Sequence, residues 1–163
     1  MINIALTNLE RYNAGELVFE WVKLPVEDFE EALERIGNPE EYFISDYECE
    51  LPHMKIHEYE NLEELNNLAM ELEGMSTYEL MILVAIMEAD SSSVEDALAT
   101  LEEENYIYYA TEDFTEFIDV LIEDGFFGEI SDEVKQFLDY EKLTKYLTDR
   151  GYHMTSTGVI TTF

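Results

Sequence analysis

Strict alternation opens the chain. Ile2, Ile4 and Leu6 alternate with Asn3, Ala5 and Thr7, the two-residue period of a strand. Tyr12-Asn13-Ala14-Gly15 supplies turn chemistry. Leu17, Phe19 and Trp21 then alternate with Val18, Glu20 and Val22, which predicts a second strand buried mostly on both faces. Pro25 opens a helix with the apolar stripe Val26, Phe29, Leu33 and Ile36, and Gly37 stops it. Tyr42 to Tyr47 is strand-like again, so residues 1–60 read as a ββαβ module of α+β type.

The period then changes to that of a helix. Asn61 with Glu64 and Ser76 with Glu79 are capping-box pairs, each followed by helix-spaced apolar residues. The first of these helices turns Leu62, Leu65, Leu68, Ala69 and Leu72 inward and ends at Gly74. The second, through Leu80–Met87, is apolar all round and is expected to be buried. Ser93 starts a third, so residues 61–104 read as a helical segment.

Beyond it, Tyr106–Tyr109 predicts a strand, and Phe114, Phe117, Ile118, Leu121 and Ile122 a helix ending at Gly125. Ser131 and Asp139 are placed to cap two shorter helices, and Tyr152–Thr155 with Val159–Phe163 reads as a closing hairpin. The expected architecture is α+β, in three segments: 1–60 (α+β), 61–104 (all-α) and 105–163 (α+β).

Charge changes this picture most. The 163 residues carry 39 Asp and Glu against 8 Lys and Arg, a formal net charge of −31. Such acidity often accompanies disorder, but Leu, Ile, Val and Phe make up roughly 29% of the chain, above the ~20% below which disorder is expected. Residues 1–130 hold 34 acids and 4 bases, net −30, whereas residues 131–163 are near neutral at −1. Not one Lys or Arg falls between Lys55 and Lys135, an interval with 23 acids.

These counts exclude whole classes of function. No basic patch is present to bind nucleic acid or an anionic membrane, and the longest apolar run, Leu80–Met87, is far too short to span a bilayer. No secretory signal pattern opens the chain, so a cytoplasmic location is expected. Among 39 carboxylates, pairs at catalytic spacing are inevitable and carry no information. Phosphate loops, G-x-S-x-G and H-E-x-x-H are absent. Cys49, flanked by Glu48 and Glu50, lacks the electropositive setting of a nucleophile, and with His53 and His57 it offers three soft ligands and no fourth. Asp90–Glu95 lacks the glycine and alternating ligands of a calcium loop. Neither enzymatic activity, nor a cofactor, nor a dedicated metal site is expected.

What the acids do have is helical spacing. Glu27, Asp28, Glu30, Glu31 and Glu34 lie off the first apolar stripe, and Asp113, Glu116, Asp119 and Glu123 repeat at three- and four-residue steps. Such neighbours are ~5–6 Å apart, comparable with phosphates along a DNA strand. Duplex DNA carries one charge per ~1.7 Å, so a charge of −31 matches about 50 Å of duplex, roughly 15 base pairs.

Three ordered blocks resemble the ArdA antirestriction proteins: Tyr12-Asn13-Ala14-Gly15-Glu16-Leu17 with Trp21, then Ile44-Ser45-Asp46-Tyr47-Glu48, and finally Gly128-Glu129-Ile130 leading into Phe137-Leu138-Asp139-Tyr140-Glu141. The chain departs from the family pattern at Phe19, where a small residue is usual, at Ser45, where histidine is common, and at Thr144-Lys145-Tyr146. The resemblance implies an elongated chain of three small domains in a two-fold dimer. It implies a mimic of bent B-form DNA, carried on mobile genetic elements, that competitively occupies the DNA-binding groove of type I restriction–modification enzymes.

On that reading Glu27, Glu31, Glu34, Glu63, Glu95, Asp96, Glu102, Glu103, Asp113, Glu116 and Asp119 act collectively as the DNA-like surface. The near-neutral segment 131–163, with Asp139, Tyr140, Lys142 and Tyr146, is the candidate homodimer contact. The alternative is an acidic adaptor or chaperone for a basic, DNA-binding protein, which composition alone does not separate from a mimic.

Overall fold

A computed structural model describes all residues, Met1–Phe163. The fold is α+β, with eight helices and two small antiparallel sheets. Contacts divide the chain into two compact units, Met1–Ser76 and Thr77–Phe163. The helical stretch 61–104 is therefore shared between the units, and the boundary falls inside it.

The first unit is built on the sheet β2-β1-β3, with β1 (Ile2–Asn8) between β2 (Phe19–Leu24) and β3 (Tyr42–Cys49). Ile2, Ile4 and Leu6 are wholly inaccessible and pair in register with Leu24, Val22 and Ile44, which are also buried. The β1–β3 register shifts between Ala5 and Leu6, leaving Ser45 extra; its hydroxyl lies 2.6 Å from that of Thr7. Two expectations are corrected here. β2 begins at Phe19, not Leu17, and buries only one face, because alternate side chains project to opposite sides and only one side meets the core: Val22 and Leu24 point in, while Phe19 and Trp21 are exposed. Tyr12 and Asn13, expected to belong to a turn, instead end a short helix α1 (Leu9–Asn13), with the Asn8 side chain accepting from the Arg11 N–H.

The helix expected from Val26 to Ile36 is shorter, α2 (Glu30–Arg35). Asp28 accepts from the Glu30 N–H at 2.9 Å and closes a local turn just before α2, leaving Glu27 and Asp28 outside it. α3 (Leu62–Gly74) starts at Asn61, whose side chain accepts from the Glu63 and Glu64 N–H groups. Its buried Asn66 accepts from the Val26 N–H (2.8 Å) and donates to the Val26 carbonyl (3.0 Å), tying α3 to the segment after β2.

The second unit contains α4 (Thr77–Asp90), α5 (Val94–Glu102), β4 (Tyr106–Tyr109), α6 (Phe114–Glu123), α7 (Asp132–Lys135), α8 (Tyr140–Thr148), β5 (His153–Met154) and β6 (Val159–Thr162). The closing hairpin forms, and β4 joins it to give the order β4-β6-β5. Phe117, Ile118, Leu121 and Ile122 of α6 cluster with Leu147 of α8 and Val159 of β6. α4 buries Ile82, Leu83, Ala85, Ile86 and Met87. It is tied to the hairpin by polar contacts: Ser156 donates from N–H and hydroxyl to Glu88, Thr157 donates to the Met81 carbonyl, and Thr162 donates to Asp90. No helix is long and apolar enough to cross a membrane.

Candidate functional site: the acidic surface

Every Asp is exposed, and so is every Glu except Glu20, Glu60 and Glu88, which are half-buried. All eleven carboxylates expected to form the functional surface are among the exposed ones. They divide between the units, with Glu27, Glu31, Glu34 and Glu63 in the first and the other seven in the second.

Helix geometry explains why they face water. In α6 the buried positions 117, 118, 121 and 122 form one stripe, which leaves Glu116, Asp119 and Glu123 on the opposite side. In α3 the buried set Leu62, Leu65, Asn66, Ala69 and Leu72 leaves Glu63, Glu64, Glu71 and Glu73 outward. In α5, Val94 and Ala97 go in while Glu95, Asp96 and Glu102 stay out.

Several of these acids also perform structural work that spacing alone did not reveal. Asp113 caps α6, accepting from the Thr115 and Glu116 N–H groups at 2.8 and 2.9 Å. Glu116 accepts from the Glu112 N–H, and Asp96 accepts from the Ser93 hydroxyl at the start of α5. Asp119 accepts from the Tyr140 hydroxyl at 2.5 Å, joining α6 to α8, and that bond pushes the Tyr140 pKa up. Acids at a helix start also suit the positive end of its dipole.

Cations barely interrupt the surface. Of the eleven, only Glu31 is ion-paired, sharing Arg35 with Glu20; hydrogen bonds and charge from those two acids raise the Arg35 pKa. In the near-neutral segment the bases are matched locally: Lys135 with Asp132, Lys142 with Asp139 and Lys145 with Asp149. The Arg150 guanidinium stacks over the Tyr146 ring at 3.8 Å. The Asp139–Lys142 bond lowers the first pKa and raises the second, and Asp139 also caps α8 through the Lys142 N–H. Around them Phe137, Val134, Phe126 and Tyr146 are exposed, Phe137 by 80%. Phe126 and Val134 were not singled out in the sequence; for Val134 the signal that could have found it is its place in α7, a helix of only four residues with none buried.

No group of three or more His, Cys, Asp or Glu is gathered to hold a metal ion. The Cys49 thiol lies 3.3 Å from the Met54 sulfur, and burial pushes its pKa up, away from a reactive thiolate. Chemically the surface offers fixed negative charge.

No individual curated protein matches the chain. The family described as antirestriction protein (ArdA) matches residues 4–161, nearly the whole length. With that coverage, the acidic α+β chain belongs to the ArdA antirestriction protein family.

Proposed function

We propose that this protein is a stoichiometric, non-catalytic inhibitor that occupies the DNA-binding groove of a type I restriction–modification enzyme in place of duplex DNA, in the cytoplasm. The observation that carries this reading is the tract between Lys55 and Lys135 of an antirestriction-family chain, which has no base at all and whose acids, all but Glu60 and Glu88, are exposed, most of them on helices. Ordinary soluble surfaces mix both signs, which avoids self-repulsion. A surface built to meet Lys and Arg in a DNA groove gains from excluding cations, and its field accelerates encounter.

The same proposal includes an elongated three-domain arrangement and a two-fold dimer. The segment 131–163 is the contact favoured for that dimer, since its charges are paired internally while Phe137 and Val134 stand in water. Phe137→Glu is expected to shift the protein from dimer to monomer in sedimentation equilibrium at low salt; an unchanged mass there would remove this segment from the interface.

The functional test is inhibition of DNA cleavage by a purified type I enzyme as inhibitor is added. Full inhibition near one inhibitor assembly per enzyme, relieved by excess duplex carrying the recognition site, is expected. Inhibition that excess DNA leaves untouched would contradict a shared groove. An adaptor for basic proteins would bind the enzyme without displacing DNA.

A further inference from the structure

The first sheet has an outer face whose two edges are exposed, at Phe19, Trp21 and Lys23 on β2 and at Asp46 and Glu48 on β3, while Ala5 and Thr7 between them are buried. Strand register defines it in rows, because residues directly opposite one another project to the same side. One row holds Lys23, Asn3 and Glu48; the next holds Trp21, Ala5 and Asp46. Phe19, opposite Thr7, extends the apolar part, and Phe19 and Trp21 are each 43% accessible. On a chain this acidic, Lys23 nevertheless takes part in none of the ion pairs. Its own row ends in Glu48, which is exposed and held by the Asn3 amide at 3.1 Å, two strands away.

The face is thus polarised across the strands: a cation and an indole on the β2 edge, two carboxylates on the β3 edge, small side chains between. Such a pattern is self-complementary. A two-fold axis parallel to the strands, lying over β1, exchanges the two edges while keeping each row at its own height. It would set Lys23 over the second copy's Glu48 and Trp21, with its N–H donor, over the second copy's Asp46, twice by symmetry. Packed sheets lie ~10 Å apart with strands roughly aligned, a spacing that such long side chains can bridge.

We propose that this outer sheet face is an isologous self-association surface, joining two copies of the chain through reciprocal Lys23–Glu48 and Trp21–Asp46 contacts. It is separate from the segment 131–163 and does not depend on the DNA-mimic reading. Long-range repulsion between negative chains opposes the contact, so association here strengthens as salt screens that repulsion. Binding to a basic groove has the opposite salt dependence, which keeps the two activities distinguishable.

The test is sedimentation equilibrium of the full chain at high salt, where repulsion is screened, for Phe137→Glu as the parent and for Lys23→Glu, Glu48→Lys and the double swap added to it, so that the other contact does not set the mass. All three substituted positions are exposed, so folding should survive, and melting curves check it. Each single reversal is expected to weaken association about tenfold or more, and the double swap to restore most of it. Monomeric protein in the parent background, singles that change nothing, or a double swap no better than the singles would each overturn the proposal. Singles that spare self-association but reduce inhibition of the restriction enzyme would assign the face to the enzyme and overturn it as well.

Discussion

Asn66 shows how much one side chain can carry in a chain with few cations to organise it. Its amide satisfies both backbone groups of Val26 in a setting only 8% accessible. Asn66→Ala leaves that N–H and carbonyl unpaired and is expected to cost about 1–3 kcal/mol in chemical denaturation of the first unit. Gly158 acts by absence: a Cβ there would lie 2.3 Å from the Tyr109 carbonyl oxygen and against the Tyr108 ring. Gly158→Ala is therefore expected to disrupt the β4–β6 pairing and lower the melting temperature of the second unit. Tyrosines in that unit also set its alkaline limit. Burial raises the pKa of Tyr106, Tyr108 and Tyr109, and the Asp119 bond raises that of Tyr140. A raised folded pKa favours the neutral phenol, so this stability is complete below the ordinary tyrosine value of about 10 and is lost as pH rises beyond it. Melting temperature followed from pH 8 to 11 should fall first above that value, together with the phenolate absorbance; a flat profile would contradict it.

Among the elements, α6 unites fold and surface. Phe117 is fully buried at the centre of the second core, and Phe117→Ala is expected to cost about 3–5 kcal/mol. The acids on its other side can be changed separately. Asp113→Asn/Glu116→Gln/Asp119→Asn keeps side-chain oxygens able to accept the cap and Tyr140 bonds while removing three charges. Folding should be retained, by circular dichroism, and inhibition should weaken and become less salt-sensitive; each single change alone should alter affinity by less than about fivefold.

Elements of this kind were also the most legible in the sequence. The stripe from Phe114 to Ile122, the caps at Asn61, Ser93 and Asp139, and the stops at Gly125 and Gly151 rest on local chemistry that tertiary packing did not override. The bounds of β2 and α2 were not legible. Alternation at Leu17–Val22 does not reveal that β2 lies at a sheet edge, and the stripe beginning at Val26 does not reveal that Asp28 closes a turn ahead of the helix. Exposure of the acids followed directly from spacing. Their capping and bridging duties required knowing which helix ends and hydroxyls lay beside them.

At the scale of the whole molecule, a charge of −31 is carried by a fold whose cations are few and mostly committed to neighbouring acids. Mutual repulsion destabilises the compact state, so added sodium chloride should raise the melting temperature before any specific ion effect enters. Binding to a basic groove runs the other way. The most direct measurement is displacement of a fluorescent duplex of about 30 base pairs from a type I restriction–modification enzyme by this protein, repeated over a range of salt. Complete displacement at low salt, with an apparent affinity that falls steeply as ionic strength rises, is the result expected of a protein that stands in for DNA. Duplex that stays bound at saturating inhibitor, or displacement indifferent to salt, would contradict the account.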